Sequence, residues 1–240
     1  MDNIRDYLKD NILITDGAFG TYYAGLYDTR ELPEKDNINY IQNCGIPATY
    51  ISKTARDYDI YTVSTSNKEA TYDMTKYLID KGHEEIAFIM TSKDDTVLER
   101  ERLSGYEQAL NESNIKLDES LIKYGGTTYE AGYESMKELL EEGIVPQAAF
   151  VTGDEAAIGA INAACDKGYK VPEDISVAGF NDVKIAKMYR PKLTTVYQPL
   201  YDMGAVAIRM VIKLINKEQL ESKKIELPYK IIERESVIPR

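Results

Sequence analysis

The chain has 240 residues, 43% hydrophobic and 29% charged, enough for one large domain or two lobes, and no apolar run approaches the roughly 18 residues of a membrane span. Its net charge of −11, from 29 Lys+Arg against 40 Asp+Glu, opposes unaided binding to duplex DNA, and neither a Lys/Arg-rich segment nor a helix-turn-helix pattern offsets it. Cys44 and Cys165 are too few for a disulfide framework, and the polar start MDNIRDYLKDN lacks a secretory h-region, so a reducing cytoplasm is expected.

Residues 1–37 read differently from the rest. Ile4–Lys9 suits a short helix and Ile12–Thr15 a short strand. Asp16-Gly17-Ala18-Phe19-Gly20-Thr21 makes a glycine-rich turn. Asn39–Ser52 reads as a helix end, a stop at Gly45 and a strand over Ala48–Ser52. Ile60–Ser64 is a second strand.

From Asn67 the pattern is regular. Asn67 caps a helix carrying Ala70, Met74, Tyr77 and Leu78, which Gly82 ends, with His83 beside the stop. Ile86–Met90 is a strand and Leu98–Ser113 a helix. Leu121–Tyr124, Ala148–Thr152, Ile175–Phe180 and Thr194–Val196 are further strands. Between them lie helices Tyr129–Glu142, a helix from Asp154 to about Lys167, and the short Val183–Met188. Pro199 stops the last of these strands and opens an amphipathic helix over Leu200–Ile215. Ile225–Leu227 and Lys230–Glu233 flank Pro228 as edge strands. Strands alternating with helices predict an α/β fold, with a parallel sheet covered on both faces.

Two stretches resemble known families. LKDNILITDGAFGTYYAGLYDTRELPEKDNI is similar to the amino-terminal end of the homocysteine S-methyltransferases, which are (β/α)8 barrels. That chemistry needs zinc held by three thiolates, and two cysteines with His83 do not supply the spacing. No catalytic residue, metal or cofactor is therefore expected, and the chain is not read as an enzyme. VPEDISVAGFND, RPKLTTVYQP and YDMGAVAIRM, in that order, resemble the LacI/GalR family of bacterial regulators, in its catabolite control protein A-like branch.

The second resemblance implies a type I periplasmic-binding-protein-like fold with a truncated first lobe. Residues 1–66 and 198–220 would form what remains of that lobe, and residues 67–197 and 221–240 the effector-binding and dimerisation lobe. Ile12–Thr15 would stand in for a lost strand beside Ala48–Ser52. Without it, Met203, Val206, Ile208, Met210 and Leu214 would be left exposed on the long helix. The chain as a whole reads as a junction of a methyltransferase-like lead segment with a truncated regulator core, whether a natural fusion, a gene-model accident or a deliberate chimera, with the family's DNA-reading head and several βα units missing. The remainder would sense a small, sugar-like metabolite bound at strand ends between lobes, pair as a homodimer, and ignore DNA and membranes by itself.

The same resemblance picks out site residues. Arg102 in RLSGY would reach the effector, its planar fork suiting hydroxyl or phosphate groups; the competing reading is an exposed helix arginine beside Glu99 or Glu101. Asn181 and Asp182 in GFND would accept from ligand hydroxyls, or else cap the short helix that follows. Gly153 occupies a position where sugar-binding relatives carry Asn, which puts ordinary sugar recognition in question. Asp154 reads as a helix cap. Tyr189 and Tyr197 are read as packing residues rather than stacking platforms. Arg190-Pro191 resembles a phrase offered to a phosphocarrier protein.

Overall fold

The computed structural model describes residues 47–51, 60–91 and 97–240. The expectations for residues 1–37, including the methyltransferase-like turn and the Ile12–Thr15 strand, lie outside them. The chain divides into two compact units. The smaller one contains, of the described residues, 47–51, 60–65 and Pro199–Leu227; the larger contains Ser66–Gln198 and Pro228–Arg240.

In the smaller unit, β1 (Thr49–Ile51), β2 (Tyr61–Ser64) and β8 (Lys224–Glu226) form a parallel three-stranded sheet in the order β1-β2-β8. Helix α6 (Leu200–Ile215) covers it. Met203, Ala207 and Met210 recur at helical spacing and pack on Val63, with Ile225 and Leu227 at the margin. Of the five residues tied to the Ile12–Thr15 strand, Met203 and Met210 are buried and Ile208 stays 40% exposed. One expectation is corrected here. The tail from residue 221 was assigned to the larger unit, yet β8 pairs with β2, Val63 opposite Ile225, and the chain changes unit only after Leu227. Ile225 and Leu227 give that segment an apolar side suited to the Val63–Met210 core, and Pro228 interrupts it.

The larger unit is a six-stranded sheet in the order β4-β3-β5-β6-β7-β9. Its strands are β3 (Ile86–Met90), β4 (Ile122–Tyr124), β5 (Ala148–Val151), β6 (Ser176–Asn181), β7 (Thr194–Tyr197) and β9 (Lys230–Ile232). All neighbours are parallel except β7 and β9. Alternation with period two splits the core into two faces. Ala87, Ile89, Ala149, Val151 and Val177 pack under α3 (Tyr129–Glu141) and α4 (Asp154–Asp166). Ile86, Phe88, Met90, Phe150, Ala178 and Phe180 pack under α1 (Asn67–Asp80) and α2 (Val97–Glu112). Both faces are buried, which explains why these strands read as continuous apolar runs.

The chain steps from β3 outward to β4 and then returns to β5 on the other side. Such a reversal opens a crevice at the carboxyl ends of the strands, where open α/β sheets bind ligands.

Candidate functional site

Arg102 lies on α2 and faces inward, only 6% exposed. Gly105, one turn on, makes this possible: a Cβ there would stand 2.2 Å from the Lys68 carbonyl oxygen, so only glycine lets α2 lie this close to α1. The close approach brings Arg102 Nε within 3.4 Å of Asn67 Oδ1 on α1. The guanidinium carbon stands 4.6 Å from the ring centre of Phe180, near the carboxyl end of β6. Glu99, one helical turn before Arg102, approaches it to 3.9 Å. The reading of Arg102 as an exposed helix arginine is therefore overturned, although Glu99 is its ionic neighbour.

This end of the sheet is densely polar for its burial. Burial pulls the Arg102 guanidinium below its ordinary value while Glu99 opposes the shift. Burial raises the Glu99 carboxyl, and Arg102 together with the hydroxyl and amide of Thr91 pulls it back. Thr91 follows β3 and lies 3.2 Å, hydroxyl to hydroxyl, from Thr152, which follows β5. Asn67, Thr91, Glu99 and Thr152 thus join Arg102 at the β3–β5 switch point. Sequence reasoning passed over all four as site residues. Asn67 was read as the helix cap, but Ser66 takes that role, accepting from the Glu69 amide at 3.4 Å, which leaves the Asn67 side chain for Arg102.

Asn181 and Asp182 close β6 with backbone φ of 105° and 55°. These are left-handed conformations that Asn and Asp adopt more readily than other side chains. Asp182 has one of its two carboxylate oxygens engaged. Its Oδ1 accepts from Arg234 Nη2 at 2.6 Å, and Arg234 also donates to the Leu193 carbonyl at 2.8 Å. Asn181 is half-buried, and its backbone carbonyl faces the Gln198 amide at 3.5 Å. Neither residue caps the following helix α5 (Lys184–Met188), whose N-cap is Val183 without a side-chain bond.

Asp154 is corrected as well. The N-cap of α4 is Gly153, and Asp154 is its first helical residue, 1% exposed. Its carboxylate accepts from Thr195 Oγ1 at 2.6 Å and from the Val183 amide at 2.7 Å, clamping the loop after β6 to β7. Gly179 leaves room for it; a Cβ there would meet Asp154 Oδ1 at 2.5 Å. Burial pushes the Asp154 carboxyl up to about 7; the bonds from Thr195 and Val183 oppose the rise, Asp182 adds to it, and Arg234 counters. Gly153 is extended, and a Cβ there would find its nearest atoms at 3.8 Å, an ordinary contact.

Tyr189 donates to Asn162 on α4 and so serves packing, as expected. Among the described residues, no group of three His, Cys, Asp or Glu side chains could hold a metal ion, and no helix is long and apolar enough to cross a membrane.

Residues 75–237 match the model of the periplasmic binding protein-like domain. The chain belongs to that family. Within it the chain is a LacI/GalR-type effector-binding core. It is 36% identical over 202 residues to catabolite control protein A of Priestia megaterium, covering 84% of this chain and 61% of that protein. The crystal structure of the transcription regulator CcpA of Lactococcus lactis superposes with a TM-score of 0.82 at 32% identity, over 98% of this chain and 91% of that one. The complex of the transcriptional regulator CelR with cellobiose superposes at 0.78 and 30% identity, over 85% of this chain and 62% of that one. The LacI/GalR core thus spans about three fifths of the length of the Priestia relative.

Proposed function

We propose that this LacI/GalR core senses a small, hydroxyl-rich metabolite, a sugar or sugar phosphate, at the carboxyl ends of β3, β5 and β6. The observation that carries the reading is the Arg102 guanidinium, buried at the switch point with partners among the described residues no closer than 3.4 Å. A buried cation with long bonds gains by meeting an oxygen-rich ligand, because its desolvation is already met and its hydrogen bonds are unsaturated. Asn181 supplies the second contact and the Thr152 hydroxyl a third. Asp182 acts through Arg234 as a brace rather than as a ligand group. The relative crystallised with cellobiose supports a sugar-sized occupant. The reading is of a cytoplasmic sensor that binds without turnover.

The core also pairs with a second copy. Tyr201, Ile208, Ile212 and Ile215 recur at helical spacing on α6 and are 40–88% exposed. Such a stripe marks a contact surface. Sedimentation of the Ile212→Glu variant shows monomers if this face is the interface.

A thermal-shift screen over sugars, sugar phosphates and nucleobases tests the sensing function, since a ligand of the native state raises apparent stability. A sugar or sugar phosphate that stabilises the wild type and loses its effect with Arg102→Ala supports the reading. An unchanged response in Arg102→Ala refutes the site, and no response from any sugar-like compound refutes the function.

A further inference from the structure

Charge at the carboxyl ends of the strands is balanced before any ligand arrives. Arg102 and Arg234 both reach into this edge, and each faces a carboxylate. Glu99 Oε1 lies 3.9 Å from Arg102 Nη1, with neither side chain more than 7% exposed. Asp182 Oδ1 lies 2.6 Å from Arg234 Nη2. Asp154, 1% exposed, adds a third carboxyl group, bonded to a hydroxyl and an amide rather than to a cation. Burial raises the Glu99 carboxyl, while Arg102 and the hydroxyl and amide of Thr91 favour its ionised form.

The helix starts lead to the same result. α2, α3 and α4 each follow a strand of the larger sheet, and the contact between Asn67 and Arg102 brings the start of α1 to the same edge. A helix N-terminus attracts anions through its dipole and its free amides. Here every first turn carries a carboxylate of its own: Glu69 on α1, Glu99 on α2, Glu130 on α3, and Asp154 and Glu155 on α4. Ser66 and Thr128 also accept from first-turn amides of α1 and α3. The positive ends that would hold a phosphate are therefore already complemented.

Glu99 stands out because it is buried beside Arg102. Charges a few ångströms apart interact far more strongly where water is excluded. A phosphate drawn to Arg102 comes to lie beside Glu99 as well, and that repulsion offsets what the guanidinium offers. A hydroxyl accepts from the guanidinium and brings no net charge, so it escapes the penalty. An uncompensated charge raised against the wrong ligand is a direct route to selectivity.

We propose that Glu99 makes this a site for uncharged sugars and excludes their phosphate esters. The residue acts through the charge it sets beside Arg102, without touching the ligand. The inference rests on the sensing function proposed above and narrows its ligand to neutral polyhydroxyl compounds.

Calorimetric titration of the full chain with pairs that differ only in the phosphate tests it: D-glucose and D-glucose 6-phosphate, D-fructose and D-fructose 6-phosphate. At about pH 7.5 the esters are dianions, since their second ionisation falls near about pH 6. The wild type is expected to bind the sugar of a pair at least about tenfold more tightly than its ester. Glu99→Gln removes the charge and keeps the shape, and is expected to shift that ratio toward the ester by at least about tenfold. Glu99→Asp, which keeps the charge, retains the wild-type order. A merely structural role would change both affinities together and leave the ratio fixed. The proposal is overturned if the wild type binds an ester as tightly as its sugar, if Glu99→Gln leaves the ratio unmoved, or if Glu99→Asp moves it as far as Glu99→Gln does. The wild-type comparison decides even if a variant fails to fold. Binding by neither member of any pair refutes the sensing function and this inference with it; an ester preferred over its sugar refutes only the role of Glu99.

Discussion

Two ends of one sheet edge handle buried charge in opposite ways. At the β6–β7 end, Asp154 accepts from Thr195 at 2.6 Å and from the Val183 amide at 2.7 Å, and Asp182 accepts from Arg234 at 2.6 Å. At the β3–β5 end, Arg102 is as deeply buried, but its contacts to Asn67 and Glu99 stretch to 3.4 and 3.9 Å. Short bonding makes a brace, because little is gained by adding a ligand. Long, incomplete bonding makes a receptor, because the next oxygen to arrive improves on what is there. Depth of burial alone does not separate structural from functional charge; saturation of its hydrogen bonds does.

The largest effect is expected at the brace and is set by pH. Asp154 is raised from 3.8 to about 7 in the folded protein. The native state therefore holds a proton that the unfolded state has released, so this residue's contribution is fully present below about pH 4 and is lost as pH rises through about 7. Urea unfolding should show wild-type stability declining over that window relative to Asp154→Asn, with the two curves parallel above it. A flat difference would mean that the Asp154 carboxylate is ionised throughout.

Next in size, Asp182→Ala strands the Arg234 guanidinium in a place where both partners are less than one fifth exposed. It is expected to cost about 3 kcal/mol in urea unfolding. Arg102→Met should cost less than about 1 kcal/mol of stability, since the ionic contact it removes is long and an apolar isostere fills the space above Phe180. The same variant should weaken the sugar-like effector by about 2 kcal/mol, measured by calorimetric titration. The smallest effect belongs to Gly153→Asn. Its Cβ has room, so unfolding should change by no more than about 0.5 kcal/mol. A larger loss would show that the loop after β5 is tighter than its contacts indicate.

The strands and helices of the larger unit were legible because burial on both faces writes apolar runs and glycine stops into the chain. Arg102 was legible only through the RLSGY phrase, since nothing in its spacing says that Gly105 draws the helix inward. Asp154 was misread because an acidic residue after glycine at a helix start looks like a cap. What buries it is the missing side chain of Gly179, on another strand, and a local pattern carries no trace of that. The ion pair of Asp182 was illegible for a similar reason: Arg234 lies 52 residues away. The placement of β8 failed because three residues, Lys-Ile-Glu, fit the edge of either sheet, and packing on Val63 made the choice.

The most direct test is a calorimetric titration of the first sugar or sugar phosphate found in the screen against wild type, Arg102→Met and Asp182→Asn. If loose bonding marks the receptor, Arg102→Met loses binding while folding normally, and Asp182→Asn loses stability while its folded fraction binds with wild-type affinity. The reverse pattern, with affinity lost at Asp182 and kept at Arg102, would contradict the assignment of receptor and brace.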